Sequence, residues 1–255
     1  MNIVITMAGR GERFRQAGHD VPKYQVMARG EPLFCWALDS LRNFTARPDA
    51  HVIFLSRAED AAVPFVCEQC GRLGIGRHDI VELSETTDGQ ATTVVAAETV
   101  IERPDQPLVI YNIDTHVDPQ ALNPSAILGH GWIPCFPGVG EGWSFVRLGP
   151  DGWAVEVREK QRVSPHATVG LYWFSSFTLY RNVYAAHYAD PANLECGERY
   201  VAPLYNEMIR QGLQVGIHSI PITAVQPLGT PAEVAALEAG TPIRLPGLAH
   251  EGTRY

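Results

Sequence analysis

The chain has 255 residues and a formal net charge of -8, and 45% of its residues are hydrophobic. A chain of this length buries about 70–75% of the surface that it exposes when unfolded, which is sufficient for one large α/β domain or for a core domain with a smaller insertion. The acidic balance excludes a nucleic-acid polymer as the expected partner, because such a partner requires a basic surface, but a small phosphorylated ligand needs only a few local cations.

Strands and helices alternate in the first half of the chain. Their predicted order is strand 2–8, helix 33–44, strand 51–56, helix 61–74, strand 79–84, helix 91–101 and strand 107–114. This alternation predicts an α/β fold with a Rossmann-like, mainly parallel sheet flanked by helices on both faces. Ligands of such sheets bind beyond the carboxyl ends of the strands, where the turn after the first strand lies.

The pattern changes near residue 130 and becomes rich in strands. The predicted elements are a β-hairpin at 143–160, strands at 166–174 and 214–222, and helices at 199–213 and 230–240. Pro150-Asp151-Gly152 is typical of a hairpin turn, and Thr230 is the expected N-cap of the last helix. We therefore predict an α/β core over 1–129 and a β-rich layer over 130–255 that continues the same domain.

The first strand is followed by the turn Ala8-Gly9-Arg10-Gly11-Glu12-Arg13. Successive backbone N–H groups in such a turn can surround an anion, and Arg13 and Lys23 supply cations for phosphate oxygens. The turn is not a Walker motif, and Phe14 occupies the position where a dinucleotide fingerprint has its third glycine. The turn therefore favours phosphate binding, and a tight strand-to-helix turn with solvated arginines is the alternative.

A buried strand ends at Asp114 in the segment VIYNIDTHVD. A carboxylate at this edge of the sheet can hold Mg²⁺, which prefers one or two carboxylates together with substrate phosphates. Asp118 is a possible second oxygen ligand. The alternative is an aspartate that caps a loop.

The segment VREKQRVSPHATVGLYWF places Glu159 and Lys160 at the end of an alternating strand, with Gly170 downstream. Within a cleft, Lys160 could neutralise the phosphate of an acceptor that faces a bound nucleotide. A salt-bridged surface hairpin is the alternative, and it is the favoured one for Glu159 considered alone.

In chain order, these segments resemble the sugar-phosphate nucleotidyltransferases, the family of glucose-1-phosphate thymidylyltransferase. MAGRGERF followed by VPKY is similar to the family's phosphate-binding segment, and TTDGQATTVVAA to its base-contacting segment. NID resembles its metal-binding strand end, EKQRVSPHATVGLY its acceptor segment and LGTPAEV its closing G-T-P turn. The matches extend from Met1 to about Leu237, and GERYVAPLYNEMI resembles a branch from capsule and lipopolysaccharide gene clusters whose acceptors are not all sugars.

The resemblance implies a GT-A-like nucleotidyltransferase in which 1–129 binds the nucleotide and 130–255 binds the acceptor. The implied phosphate-binding residues are Ala8, Gly9, Gly11, Arg13 and Lys23. The implied base-contacting residues are Gly89 and Gln90, and the implied magnesium ligand is Asp114. The implied acceptor-binding residues are Glu159, Lys160 and Gly170, and Arg13, Lys23 and Lys160 are the implied catalytic side chains.

The implied reaction joins a nucleoside triphosphate (CTP, UTP or dTTP) to a phosphate monoester such as a sugar 1-phosphate and releases pyrophosphate. With Mg²⁺ as cofactor, it would activate a building block for surface polysaccharide, and the enzyme is a possible homo-oligomer. A cytidylyltransferase for a non-sugar phosphate or phosphonate and a non-catalytic nucleotide-binding relative remain alternatives. A glycosyltransferase is a further alternative, although NIDTHVD is not the D-x-D motif that it would use.

The sequence departs from the family pattern at three places. Gly9-Arg10 stands where a double glycine is usual, and Gln161 stands where the family has proline. Many members have an aspartate just before the closing G-T-P turn as second metal ligand, whereas this chain has Gln226-Pro227-Leu228. The second metal ligand, the base and the acceptor therefore stay open.

The remaining features have ordinary structural interpretations. Cys67 and Cys70 form a lone C-x-x-C on a predicted helix, for which two small residues on one face is favoured over a zinc or redox site. Trp143, Trp153, Tyr172 and Trp173 are expected to be core residues rather than a stacking surface for a sugar. No apolar run is long enough to span a membrane and no targeting segment precedes the first strand, so we expect a cytoplasmic protein without a membrane partner.

Overall fold

A computed structural model of the protein describes residues 1–240. The strands are β1 (Asn2–Thr6), β2 (Met27–Ala28), β3 (Glu31–Pro32), β4 (His51–Arg57), β5 (His78–Leu83), β6 (Leu108–Asn112), β7 (Thr115–Val117), β8 (Gly131–Pro137), β9 (Ser144–Leu148), β10 (Ala154–Glu159), β11 (His166–Thr168), β12 (Leu171–Phe174), β13 (Val215–Ser219) and β14 (Val225–Pro227). The helices are α1 (Glu12–Gln16), α2 (Leu33–Ser40), α3 (Arg42–Thr45), α4 (Val63–Leu73), α5 (Gln90–Val95), α6 (Phe177–His187), α7 (Leu204–Arg210) and α8 (Pro231–Ala239). Residues 241–255 of the predicted β-rich part lie outside the described residues.

One mixed sheet runs through both halves of the described chain, in the order β10-β9-β11-β8-β12-β6-β1-β4-β5, with β13 paired to β8. Its core is parallel, since β1 pairs with both β4 and β6 and β4 pairs with β5 in parallel register. β12 joins β6 in antiparallel register and connects the second-half strands to this core. The predicted fold class, a Rossmann-like sheet followed by a β-rich part, is confirmed.

The central strand β1 is buried on both faces, as a parallel strand between helical layers must be. Ile3 and Ile5 pack in one hydrophobic cluster with Phe34 of α2, whereas Val4 packs in another with Tyr180 of α6. Successive side chains of a strand point to opposite faces, so this division places helices on both sides of the sheet. The sequence run Ile3-Val4-Ile5 is apolar without interruption because both faces of this strand are buried.

A third, smaller cluster holds the last helix against the beginning of the chain. Val234 and Leu237 of α8 pack with Phe14 of α1 and Trp36 of α2. The N-terminus of α8 is capped by Thr230, whose hydroxyl accepts a hydrogen bond from the Glu233 N–H at 3.2 Å, and the helix ends before Gly240. The predicted cap and stop are therefore confirmed, and α8 lies beside the turn that follows β1.

Several element boundaries differ from the predictions. The strand predicted over 166–174 is divided into β11 and β12 at Gly170, whose backbone is left-handed with φ +78°. The helix predicted over 199–213 is shorter because α7 begins only after Pro203. The sequence analysis missed β8, in which Pro134 and Pro137 disfavour a strand, and it also missed α6.

Within 1–240, every helix is too short or too polar to cross a bilayer.

Candidate active site

A cleft of about 840 Å³ lies at the carboxyl ends of β1 and β6. Thr6 and Asn112, the last residues of these strands, are register partners, so the segments that follow them are neighbours. The predicted site residues that line the cleft are Ala8, Gly9, Gly11, Arg13, Lys23, Gly89, Gln90, Asp114, Glu159 and Gly170. Residues from both halves of the chain thus meet around one opening.

The turn after β1 presents its backbone donors to this cleft. Within residues 1–240, the N–H groups from Ala8 to Arg13 donate to no protein acceptor. Gly11 is left-handed at φ +64°, a conformation that favours glycine, whereas a side chain on Gly9 would meet no heavy atom within 4 Å. Arg13 is exposed and has no ion-pair partner among the described residues. The turn therefore combines consecutive amide donors with a free guanidinium, a combination suited to an anion.

Lys23 and Asp114 form an ion pair beside this turn, with Lys23 Nζ 2.8 Å from Asp114 Oδ2. Lys23 lies in a short 3-10 turn and its ammonium is 5.6 Å from the centre of the Phe14 ring. The predicted strand ends at Asp114, whereas β6 ends two residues earlier at Asn112, so Asp114 lies just beyond the carboxyl end of the strand. The two side chains predicted to act on the phosphates and on the metal are thus in direct contact.

Gln90 lies at the first position of α5 and links two strand ends. Its side-chain amide donates to Thr6 Oγ1 at 2.9 Å and to Asn112 Oδ1. Asn112 is in turn packed against Gly170, since a Cβ on Gly170 would lie 2.5 Å from Asn112 Nδ2. Gln90 lines the cleft, and because its amide nitrogen already donates to two protein acceptors, its side-chain oxygen is the group left to accept a hydrogen bond.

Gly89 has a packing role in addition to its place in the cleft wall. Its φ is +147°, and a Cβ would lie 2.4 Å from the carbonyl oxygen of Arg199 and 2.5 Å from its nitrogen. The Arg199 backbone pairs with both sides of this glycine, because its N–H donates to Asp88 and its carbonyl accepts from Ala91. Close approach of two backbones alone explains glycine here.

Glu159 ends β10 at the far side of the cleft and is held by neighbouring polar groups. Its carboxylate accepts a hydrogen bond from the Ser144 hydroxyl, and its backbone N–H donates to Glu195 at 2.6 Å. Burial raises the pKa of Glu159, while the Ser144 hydrogen bond and nearby Lys160 oppose the rise. This glutamate is therefore not the solvated surface residue of the alternative interpretation.

Lys160 follows Glu159 in a left-handed conformation with φ +51°. Its ammonium donates to the Tyr200 hydroxyl at 2.6 Å and lies 4.7 Å from the centre of the Tyr200 ring. Burial lowers its pKa, but the Tyr200 hydrogen bond and the Glu159 charge outweigh that effect and raise it. Lys160 does not itself line the cleft, whereas Tyr200 does, so the lysine lies at the cleft's margin.

Two weaker candidates lie in ordinary structural environments. The Asp118 carboxylate accepts from the Gln120 N–H at 2.9 Å and caps a 3-10 turn, as the loop-cap alternative proposed. Cys70 is buried on α4, and burial raises the pKa of its thiol to about 12, whereas Cys67 is exposed. Residues 1–240 contain no group of three or more histidine, cysteine, aspartate or glutamate side chains that could hold a metal by themselves.

The sequence analysis missed three residues that the structure brings to this region: Asn112, Tyr200 and Glu233. The segment NID places Asn112 two residues before Asp114, so a sequence signal for it was present. Glu233 also had a signal, because it follows the Thr230 cap by three residues, where a capping box has its acidic residue. Nothing in the local sequence around Tyr200 indicates contact with Lys160, because the two residues are 40 positions apart.

The four aromatic residues considered for sugar stacking have different environments. Tyr172 is buried and its hydroxyl lies within hydrogen-bond distance of Ser144 and Thr168, at 3.1 and 3.2 Å. Trp173 is buried in the core, while Trp143 lines the cleft and packs edge-on against Phe136. Trp153 is half-buried and does not line the cleft, so Trp143 is the tryptophan of this set that does, and it is not the core residue that the sequence predicts.

Comparison with solved structures identifies the family. The nucleoside-diphosphate-sugar pyrophosphorylase from Vibrio cholerae RC9 is 32% identical, with a TM-score of 0.85, and the match covers 92% of this chain and 99% of that chain. The chain belongs to this family. The resemblance seen in the sequence is thereby confirmed, and the protein is a pyrophosphorylase, that is, a nucleotidyltransferase.

More distant structures share the fold. The inositol-1-phosphate CTP transferase from T. maritima is 15% identical with a TM-score of 0.71, covering 95% of this chain and 98% of that chain. A putative glucose-1-phosphate thymidylyltransferase from Bacillus anthracis, solved with sucrose, is 14% identical with a TM-score of 0.71, covering 96% and 98%. No protein-family model matches the chain, and neither does any curated protein.

Proposed function

We propose that this pyrophosphorylase joins a nucleoside triphosphate (CTP, UTP or dTTP) to a sugar 1-phosphate and releases pyrophosphate. One observation carries the proposal: a single cleft is lined by the amide-rich turn, by the Lys23–Asp114 pair and by Glu159. Reaction between two bound phosphates requires two sites in one opening, because their reacting atoms must approach to about 3–3.5 Å.

In the proposed reaction, a phosphate oxygen of the acceptor attacks the α-phosphorus of the nucleotide. A new P–O bond forms, the bond from the α-phosphorus to the bridging oxygen breaks, and the electron pair leaves with pyrophosphate. The acceptor phosphate is already an anionic nucleophile at neutral pH, so catalysis needs positioning and charge neutralisation rather than a general base.

The nucleotide side of the cleft would act on the leaving group. The amides of Ala8, Gly9 and Gly11 would bind the triphosphate, and Arg13 and Lys23 would stabilise the charge that develops on pyrophosphate. Gly89 and the free oxygen of Gln90 would face the base, because both line the cleft near the carboxyl end of β1. Lys23 already contacts Asp114, so it would exchange that carboxylate for phosphate oxygens when the nucleotide binds.

Asp114 fits the expected divalent cation. It provides one carboxylate at the cleft, and magnesium sites that include substrate phosphates need only one or two. When bound, Mg²⁺ supplies positive charge that stabilises the departing pyrophosphate.

The acceptor side would bind the phosphate monoester through Lys160. Lys160 would neutralise the acceptor phosphate, while Glu159 and the backbone at Gly170 would hydrogen-bond to its hydroxyl or amide groups. The buried Ser144–Glu159 contact keeps the carboxylate in place.

A second acceptor class is favoured by one observation: Glu159, Glu198 and Trp143 all line the cleft. Two carboxylates and an indole face suit an alkylammonium group as well as they suit sugar hydroxyls. A cytidylyltransferase acting on phosphocholine or an aminoalkyl phosphonate is therefore the second candidate.

A pyrophosphate-release screen tests the proposal. The four nucleoside triphosphates are combined with sugar 1-phosphates, phosphocholine, phosphonates and phosphorylated amino acids, with acceptor-free reactions as controls for hydrolysis. We expect acceptor-dependent pyrophosphate release for one nucleotide and a sugar 1-phosphate. Release with phosphocholine or a phosphonate supports the second candidate, and nucleotide binding without release from any pair contradicts both and supports a non-catalytic relative.

The proposal also includes the division of the chain into two binding parts, the biological role, the cellular location and the oligomeric state. The division into a nucleotide-binding part at 1–129 and an acceptor-binding part at 130–255 is supported by the distribution of the candidate residues along the chain. A role in surface polysaccharide synthesis, a cytoplasmic location and a homo-oligomer stay predictions from the sequence. Fractionation of the source cells and light scattering of the purified protein test the last two.

A further inference from the structure

We propose that Glu233, in the first turn of α8, is the second carboxylate that holds the divalent cation with Asp114. The inference rests on the proposed function, in which a metal ion bound near Asp114 assists pyrophosphate release. The sequence left the second metal ligand unassigned, because Gln226, Pro227 and Leu228 provide no carboxylate before the G-T-P turn.

Three charged side chains, those of Glu233, Asp114 and Lys23, converge at Gly229. A Cβ on this glycine would lie 3.4 Å from Glu233 Oε2, 3.6 Å from Asp114 Oδ2 and 4.0 Å from Lys23 Nζ. The two carboxylates therefore approach the same small region from separate elements, one from the end of β6 and the other from α8. With all three groups ionised, this set has one excess negative charge, which favours a cation.

Glu233 occupies the capping-box position after Thr230, yet it forms only half of that motif. Its backbone N–H donates to the Thr230 hydroxyl, as a capping box requires. Its carboxylate does not accept from the Thr230 N–H, and within residues 1–240 it forms neither a hydrogen bond nor an ion pair within 4.0 Å. A glutamate kept for helix capping would make the reciprocal bond, whereas this carboxylate lies beside Gly229, as the Asp114 carboxylate does.

The surrounding fold anchors the backbone segments that carry the two carboxylates. β14 pairs with β7 so that Pro227 is opposite Thr115, and the Leu228 N–H donates to the Asp114 carbonyl at 2.8 Å. Val234, the residue after Glu233, is buried against Phe14 and Trp36. Both carboxylates are thus attached to anchored backbone, as a metal site requires.

Mn²⁺ binding measured by electron paramagnetic resonance of the free ion tests the assignment without a turnover assay. The full-length protein is compared with Glu233→Gln, Asp114→Asn and the control Glu238→Gln, which removes a carboxylate from the same helix. We expect one Mn²⁺ per wild-type chain, at least ~10-fold weaker binding for Glu233→Gln and Asp114→Asn, and wild-type affinity for Glu238→Gln.

Thermal unfolding in EDTA separates metal binding from helix capping. We expect Glu233→Gln to unfold within a few degrees of wild type, and Glu233→Asp, which keeps the charge near the helix N-terminus, to recover Mn²⁺ affinity only in part. Wild-type Mn²⁺ affinity in Glu233→Gln, or equal losses in Glu238→Gln, overturns the assignment. Failure of the proposed function would give a different result from failure of this metal-ligand assignment. The protein would then bind Mn²⁺ with the expected dependence on Glu233 but release no pyrophosphate from any substrate pair.

Discussion

The two sides of the cleft differ in how their charged groups are held. On the nucleotide side, the amides from Ala8 to Arg13 and the Arg13 guanidinium have no protein partners within residues 1–240. On the acceptor side, Lys160 already contacts Tyr200, and Glu159 is bonded to Ser144. Beside the Lys23–Asp114 ion pair, the first side offers unpaired donors to a polyanion, whereas the second offers a prearranged polar network.

This contrast reflects two ways of binding phosphate. Backbone amides in a fixed turn need no side-chain ordering when the ligand binds, so they suit a group common to every nucleoside triphosphate. Side chains from distant segments can be exchanged individually, so they suit discrimination among acceptors. We infer that changes on the nucleotide side affect catalysis as a whole, whereas those on the acceptor side affect acceptor affinity.

The largest expected effect is on the nucleotide side, at the Lys23–Asp114 pair. Lys23→Ala and Asp114→Ala should each reduce kcat/KM by at least ~10²-fold, or about 2.7 kcal/mol, because each removes charge stabilisation from the departing pyrophosphate. Steady-state pyrophosphate release measures the effect. Arg15→Ala, which removes an exposed cation of α1 that lies outside the cleft, is the control and should retain wild-type activity. Wild-type release from either charge-pair variant contradicts the assigned role.

A smaller and more selective effect is expected on the acceptor side, at Lys160. Lys160→Ala should raise the KM for the acceptor about tenfold while the KM for the nucleotide stays unchanged, because one charge-assisted phosphate contact is lost. Initial rates with each substrate varied in turn separate the two constants.

A backbone control is available because Lys160 has φ +51°. Lys160→Gly also removes the ammonium but accepts this conformation without strain, so it should match Lys160→Ala if the charge alone matters. Equal increases in both KM values, or recovery of acceptor affinity in Lys160→Gly, would exclude a specific phosphate contact.

The difference between the two sides of the cleft also explains which parts of the site could be predicted from the sequence. The nucleotide side is built from segments with local patterns, since Gly9 and Gly11 mark the turn and Asp114 ends an apolar run. The parallel register of β1 and β6 then brings these segments together, as the alternation of elements predicted. The parallel core of the sheet and the position of this side of the cleft were therefore predictable, whereas the order of the strands was not predicted.

The acceptor side depends on contacts between residues far apart in the chain. Lys160 meets Tyr200 across 40 positions, and no local pattern specifies that contact. Ser144 meets Glu159 through the β9–β10 pairing, which is the hairpin that the sequence predicts, so this contact is the more local one. The two prolines in β8 also obscured the strand that carries this part of the sheet.

The smallest expected effect concerns pH and the buried carboxyl of Glu159. Burial raises its pKa in the folded chain, so the folded protein retains this proton at pH values where the unfolded chain has released it. The free energy of unfolding therefore loses this contribution as pH rises from the ordinary glutamate range through the raised pKa. Glu159→Gln has no such titration, so its stability relative to wild type should increase with pH across that window, as measured by urea denaturation.

Glu156, three residues earlier on β10, provides a control of opposite sign. Hydrogen bonds from Arg147 and Arg158 lower its pKa, so it stabilises the fold above the ordinary glutamate range and loses that contribution as pH falls. The stability of Glu156→Gln relative to wild type should therefore decrease as pH rises. If the two variants show the same slope, the buried network at Glu159 does not perturb its titration, and the acceptor side is no more prearranged than an exposed ion pair on the same strand.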